Sequence, residues 1–235
     1  MLAIFKRELR SYFSTPIGYV FIAVFMVVSG VVFALSTYMA DTASLSTYFT
    51  MMTVAYVLLI PILTMKIFSD ELRSKTDQLL LTAPVSIIGV VFAKYLAALA
   101  MYMIAVALSM VNFLFMVVNG YTVQPGIAIG MFVGMILIGM ACIAVGIFVS
   151  SLTESQLVAV LVTMVVLVVM MFINIFNQFI PFAWLRTALS WFAISSRYDT
   201  LAAGRFDFTA ILYYVSIAGS FLLLTIRVFE KKRWH

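Results

Sequence analysis

The chain has 235 residues, of which 65% are hydrophobic and only 10% charged, with a formal net charge of +5. About a quarter of an average soluble domain is charged, so this composition excludes a water-soluble enzyme; the length leaves room for roughly six spanning helices of ~20 residues and no sizeable soluble domain. A single cysteine, Cys142, and a single histidine at the last position, His235, argue against a disulfide framework, a Cys/His metal site and histidine-based catalysis.

Leu2, Phe5, Leu9 and Phe13 recur at helical spacing with Lys6, Arg7 and Arg10 between them, which predicts an amphipathic interface helix over 1–14. The uncharged run that follows is too long for the apolar core of a signal peptide and is read as a first span, 17–38. A second span covers 45–65. Segment 66–84 is the densest in charge: Ser74 or Thr76 can cap a short helix there, Asp77 and Gln78 fall in its first turn, and Pro84 follows its end. Apolar sequence resumes at Val85 and runs to Val118, too long for one perpendicular helix. The third span is therefore set at 95–118, with Lys94 near the membrane interface.

From Tyr95 to Thr153 no Asp, Glu, Lys or Arg occurs, and a charged side chain costs a few kcal/mol or more at the bilayer centre. Within this run Asn119-Gly120-Tyr121 and Gln124-Pro125-Gly126 signal a turn ahead of a fourth span, 126–150. Glu154 marks a loop, the fifth span covers 156–178, and the sixth covers 208–226. Trp184 and Trp191, between these last two spans, suit an interfacial aromatic belt. A β-barrel would alternate apolar and polar residues, which these segments do not, so the fold class is all-α integral membrane with six transmembrane helices.

Six spans place both termini on one side. That side collects Lys6, Arg7, Arg10, Lys66, Arg73, Lys75, Lys94, Arg227, Lys231, Lys232 and Arg233, against Arg186, Arg197 and Arg205 opposite. The positive-inside rule then predicts a multi-pass protein of the cytoplasmic membrane with both termini cytoplasmic. The same distribution attributes the basic balance to topology and lipid rather than to nucleic acid.

No Gly-x4-Gly-Lys-Ser/Thr motif occurs, so the chain carries no P-loop. No carboxylate pair lies within a span and no metal site is expected, so energy must enter from outside the chain. The strongest candidate for that entry is 66–84, whose Leu79, Leu80 and Leu81 form an apolar knob flanked by charge, either lying in the interface or docking a partner. Gly126, Gly130 and Gly134 repeat every four residues and let helix backbones approach closely. Asn174, Asn177 and Gln178 in the fifth span are either interhelical glue or the lining of a pathway.

The combination Asp70-Glu71-x-Arg73-x2-Thr76-x2-Leu79-Leu80-Leu81-Thr82-x-Pro84-Val85-Ser86 resembles the loop after the second span in permeases of the ABC-2 type, most closely the gliding-motility-associated subgroup. Phe5-Lys6-Arg7-Glu8-Leu9, Ala93-Lys94-Tyr95-Leu96 and Tyr213-Tyr214 also match, so the resemblance covers 1–235 as a single transmembrane domain. Ser195-Ser196-Arg197-Tyr198-Asp199 departs from a His/Glu-containing stretch of that family, and nothing about substrate carries over.

The resemblance implies a cytoplasmic coupling helix between spans 2 and 3, with Asp70, Glu71, Arg73, Thr76, Gln78, Leu79, Leu80, Leu81, Thr82 and Pro84 contacting an ATPase. Phe5, Lys6, Arg7 and Leu9 of the interface helix would make a second contact. Spans 2 and 5 would line the axis of a permease dimer, making Thr53 and Tyr56 pathway candidates beside the three amides. Re-entrant or surface helices would fill 181–207 on the outer face. The implied partners are two copies of a cytosolic ABC ATP-binding subunit, a second permease copy or related permease, and an additional membrane or extracytoplasmic subunit. ATP and Mg would bind the ATPase, with no cofactor in this chain. The implied activity is export; the rival reading from the residues is a non-transporting scaffold or assembly factor anchoring a cytosolic ATPase.

Overall fold

The computed structural model describes residues 2–37, 45–76, 86–118, 125–177, 182–191, 193–194 and 207–233. Among them there is no strand, and six helical stretches are long and apolar enough to cross a membrane. Their outward faces carry Val27, Leu114, Leu157, Val165 and Leu223, all more than half exposed. Apolar surface on this scale is stable only where lipid is the solvent. The protein is a multi-pass membrane protein.

The breaks between helices follow from local chemistry. Helix α1 (Leu2–Ser14) ends at Thr15, which is disfavoured in a helix because proline follows, and Pro16 takes the first position of α2 (Pro16–Thr37). Helix α3 (Leu45–Thr64) is followed across Met65 by α4 (Lys66–Arg73). Ser86 caps α5 (Ile87–Ser109) by accepting the Gly89 N–H at 3.2 Å, satisfying one of the donors that a helix start leaves open. Across Met110 the chain continues as α6 (Val111–Val118). Pro125 opens α7 (Pro125–Ser150), and α8 (Gln156–Phe176), α9 (Ala183–Ser190) and α10 (Phe208–Arg233) follow.

Two boundaries correct the sequence reading. The third span begins at Ile87 rather than 95, because Ser86 supplies a cap there, and this places Lys94 two turns inside α5. The last helix runs to Arg233 rather than 226. At 1.5 Å per residue α10 is about 39 Å long, so its basic end, Lys231, Lys232 and Arg233, clears a hydrocarbon core of ~30 Å and complements the negative end of the helix dipole.

Helix α7 is the centre of the bundle, packed against α3, α5, α8 and α10. It is apolar on every side, as a helix enclosed by neighbours must be. Close packing is set at Gly139, where a Cβ would strike the ring of Tyr102, and at Gly146, where it would strike Thr64. The Tyr102 hydroxyl donates to the Met135 carbonyl of α7 at 2.8 Å, so the phenol lies on the helix backbone and only glycine leaves it space. Of the glycines singled out from the sequence, Gly130 and Gly134 are buried. Gly126 sits in the exposed first turn of α7, with open space among the described residues where a Cβ would lie.

Further along the bundle a ring cluster, Tyr48, Phe49, Phe113 and Phe132, joins α3, α6 and α7. Polar glue reinforces it: Asn112 donates to the Ser29 hydroxyl at 2.8 Å, and Ser29 and Tyr48 share a second bond of 2.8 Å. Bonds of this kind tie spans together where apolar burial discriminates poorly between protein and lipid.

Candidate functional site

Among the described residues, charge returns to the buried part of the protein at one place, where α1, α4 and α5 meet. The Lys94 side chain is only 3% exposed, and an ammonium has three N–H donors. Its Nζ lies 2.7 Å from Glu71 Oε1, 3.3 Å from Glu8 Oε1 and 3.1 Å from the Ile67 carbonyl. All three donors are thereby used, and the ammonium also stands 5.2 Å from the centre of the Phe68 ring. Arg7, largely exposed, contacts Glu8 at 3.3 Å and reaches Glu71 at 4.0 Å. Two cations thus face two carboxylates.

The four charges sit at the wall of a cavity of about 310 Å³ between α1 and α4, to which Tyr12, Lys66 and Asp70 also contribute. Tyr12 fastens α1 from its other end by donating to the Leu63 carbonyl at 3.4 Å. Oε2 of Glu71 is buried without a hydrogen-bond partner among the described residues, so this carboxylate depends on Lys94 and Arg7 for its stability. A buried pair of this kind contributes little net stability but is costly to break. Its consequence is geometric: α1, α4 and α5 are locked in one relative position.

Helix α4 is held as firmly from the other side. Met65 offers no side-chain cap; instead the Ser150 hydroxyl at the end of α7 accepts the N–H groups of Phe68 and Ser69 at 3.1 and 3.2 Å. A neighbouring helix therefore supplies what a serine at Met65 would have supplied. Ser69 bonds back to Ser150, Gln156 donates to Asp70, and the Phe68 ring packs on Phe229 of α10 with centroids 4.6 Å apart. Ser150→Ala is expected to lower the stability of the purified chain by about 1–3 kcal/mol, the cost of leaving buried donors unmet. Thermal unfolding in detergent checks this, and an unchanged midpoint would show that the hydroxyl is dispensable.

Ser74 closes α4: its hydroxyl donates to the Asp70 carbonyl at 2.7 Å. The short helix that Ser74 or Thr76 is expected to cap falls outside the described residues. The Lys75 N–H bonds the Leu72 carbonyl at 3.2 Å and the Thr76 N–H bonds the Glu71 carbonyl at 3.0 Å. This is the paired geometry of a Schellman motif, which needs a left-handed residue after the cap, and Lys75 provides it at φ 55°. A lysine there costs more than glycine would.

Of the residues singled out from the sequence, Asp70, Glu71, Arg73 and Thr76 thus belong to α4 and its C-terminal turn. Gln78, Leu79, Leu80, Leu81, Thr82 and Pro84 lie outside the described residues. Phe5 and Leu9 are half-buried against the bundle, while Lys6 and Arg7 are exposed. Thr53 and Tyr56 are buried inside this chain, Thr53 bonding the Phe49 carbonyl at 2.9 Å and Tyr56 packing on Tyr102. Asn177 is buried and donates to the Arg186 carbonyl at 3.4 Å, with its Oδ1 unpartnered among the described residues; Gln178 and the Asn174 side chain lie outside the description. Sequence reasoning did not single out Glu8, Lys94 or Ser150 as site residues. A signal for the first two existed, since a lone lysine in an otherwise uncharged helix requires a carboxylate brought from elsewhere.

Among the described residues no group of His, Cys, Asp and Glu could hold a metal ion. What the arrangement can do is transmit position: a short polar helix on one end of an apolar bundle is clamped to four of its spans, α5, α7, α8 and α10. These features define a membrane protein whose polar site is mechanical. The chain belongs to the ABC-2 family of transporter proteins, whose family pattern matches residues 2–234, and it is accordingly a membrane transporter permease. No curated protein matches it.

Proposed function

We propose that the chain is the transmembrane subunit of an ATP-binding cassette exporter, working as a dimer or with a related permease and powered by separate ATPase subunits on the cytoplasmic face. The observation that carries this reading is the clamp on α4. The segment following α4, 76–82, is where the sequence places the coupling helix, and α4 is bound to α5 and α1 through Lys94 and to α7 through Ser150. A push that reaches α4 from that segment is passed through these contacts to the central helix. Closure of the ATPase dimer then favours one packing of the spans over another, as any energised switch must. Asn174, Asn177 and Gln178, at and just beyond the end of α8, are the candidates for the path between permease halves, whereas Thr53 and Tyr56 are enclosed within this chain and do not face a second copy; α1 is a second contact for the ATPase.

The chain contributes no bond-breaking chemistry in this reading. Purified alone, it is expected neither to bind nor to hydrolyse ATP, because no Gly-rich phosphate loop is present; hydrolysis appears when the partner ATPase is co-purified. Robust hydrolysis by the isolated chain overturns the proposal. Stable capture of an ATPase without ATP-dependent substrate movement in proteoliposomes favours the scaffold role instead.

Orientation is tested separately. Reporter fusions after Asp41, Tyr121 and Gly204 are expected outside and those after Ser74 and Glu154 in the cytoplasm, since six spans would put eleven of the fourteen basic residues on the latter side. A cytoplasmic signal at Tyr121 rules out the six-span topology.

A further inference from the structure

Helix α1 has a second cavity on the face away from the ion pairs. Leu2 and Phe5 on one side, and Ala93, Leu96, Leu99, Ala100 and Met103 of α5 on the other, enclose a groove of about 410 Å³ with no polar side chain in its lining. Ala93, Leu96, Ala100 and Met103 recur three and four residues apart, with Leu99 beside Ala100, so they form one stripe along that helix. Alanines at 93 and 100 make the stripe concave, while Leu96 and Met103 are each 45% exposed at its rim. The groove opens to the surroundings of the bundle, and it is elongated along a spanning helix.

Charge is distributed unevenly around it. Leu2, Lys6 and Arg10 are successive i, i+4 neighbours and form one ridge of α1. A helical side chain leans over the turn that precedes it, so Lys6 covers the neighbourhood of Leu2, the lip of the groove, and Arg10 follows one turn behind. Both are exposed, and neither makes an ion pair among the described residues, although Arg7 and Glu8 beside them do. The acidic residues near α1 are thus engaged on its opposite shoulder, leaving an unopposed positive edge of α1 beside an apolar slot that begins about two turns into a spanning helix.

We propose that this groove is a binding site for an anionic phospholipid, with one acyl chain lying between α1 and α5 and the headgroup phosphate held by Lys6 and Arg10. The occupant follows from complementarity. A soluble anion would leave the groove empty, and a zwitterionic lipid would leave the two cations without a net counter-charge. An anionic lipid satisfies both, and it would help to seat α1 in the position from which Glu8 reaches Lys94.

The test uses the purified chain in a non-ionic detergent, with native mass spectrometry reading the first bound lipid. Phosphatidylglycerol and phosphatidylcholine with identical acyl chains are titrated side by side. Phosphatidylglycerol is expected to bind the more tightly, and glycerol phosphate without acyl chains is expected not to compete. Lys6→Ala with Arg10→Ala reduces phosphatidylglycerol affinity about thirtyfold, roughly fivefold for each basic residue near an anionic lipid, and leaves phosphatidylcholine unchanged. Ala100→Trp fills the groove and removes the tight first adduct of both lipids. Lys231→Ala with Arg233→Ala, an equal loss of charge on the exposed end of α10, changes neither. The proposal is overturned if the Lys6/Arg10 pair costs no more than this control, if Ala100→Trp still binds phosphatidylglycerol, or if glycerol phosphate displaces the lipid. Should Ala100→Trp not yield folded protein, the exposed charge pair and the glycerol phosphate competition still decide the matter.

Discussion

Lys94→Met is expected to destabilise the chain by about 3–5 kcal/mol, the cost of removing one partner from a buried charge pair, and to uncouple ATP hydrolysis from transport in the assembled complex. Methionine fills much of the same volume, so the loss is not one of packing. It lies in the carboxylates of Glu8 and Glu71, only 18% and 15% exposed, which would face each other with the mostly exposed Arg7 as their remaining counter-charge. Glu8→Gln with Glu71→Gln in the Lys94→Met background should recover most of the stability, because two amides carry no charge to be neutralised. Coupling should not recover in full if the ion pairs, rather than filled space, fix α1 and α4 against α5. Thermal unfolding and substrate-stimulated hydrolysis read the two effects separately. A single variant within about 0.5 kcal/mol of the parent, the range of an ordinary surface substitution, would show that the charges are not dependent on one another.

The other large effect is expected at Leu80. If Leu80 docks on the ATPase as proposed, Leu80→Asp places a carboxylate in an apolar contact, where burial without a partner costs about 4 kcal/mol or more, roughly a thousandfold in affinity. Insertion into the membrane should proceed as before, because the residue lies outside the spans assigned from the sequence. The ATPase subunit should be lost from pull-downs or its hydrolysis freed from transport. Asp41→Asn, expected on the opposite side of the membrane, is the control. If assembly and coupling are both intact in Leu80→Asp, the docking role of Thr76 to Thr82 is wrong.

What the sequence made legible was what depends on composition along a continuous stretch. The spans could be placed because charge is absent from Tyr95 to Thr153 and returns at Glu154, although the sequence reading does not take Ser86, which opens α5, as a helix start and sets the third span too late. Lys94 shows where such reading fails. A scan that treats each charge as a cost pushes a lone lysine toward the nearest interface, whereas the chain instead brings Glu71 from 23 residues away and Glu8 from 86 residues away to meet it. The same holds for Ser150, whose hydroxyl looks unremarkable at the end of an apolar helix yet caps α4, 82 residues earlier. Gly126 illustrates the converse: the four-residue repeat was real, but a spacing carries no information on whether a neighbour is present, and among the described residues none stands against it.

Glu8 and Glu71 both precede Lys94 in the chain, and synthesis therefore delivers the anions before the cation. Each carboxylate can wait in water at the membrane surface, whereas the lysine arrives inside a helix that is otherwise free of charge from Ile87 to Ser109. By the time that helix leaves the ribosome its counter-ions are already made, and the spell during which a bare ammonium would face lipid is short. The opposite arrangement, a lysine in the first span waiting for acids in the third, would have exposed it through the insertion of everything between. The order of these three residues along the chain thus makes the ion-pair cluster compatible with building the protein one helix at a time.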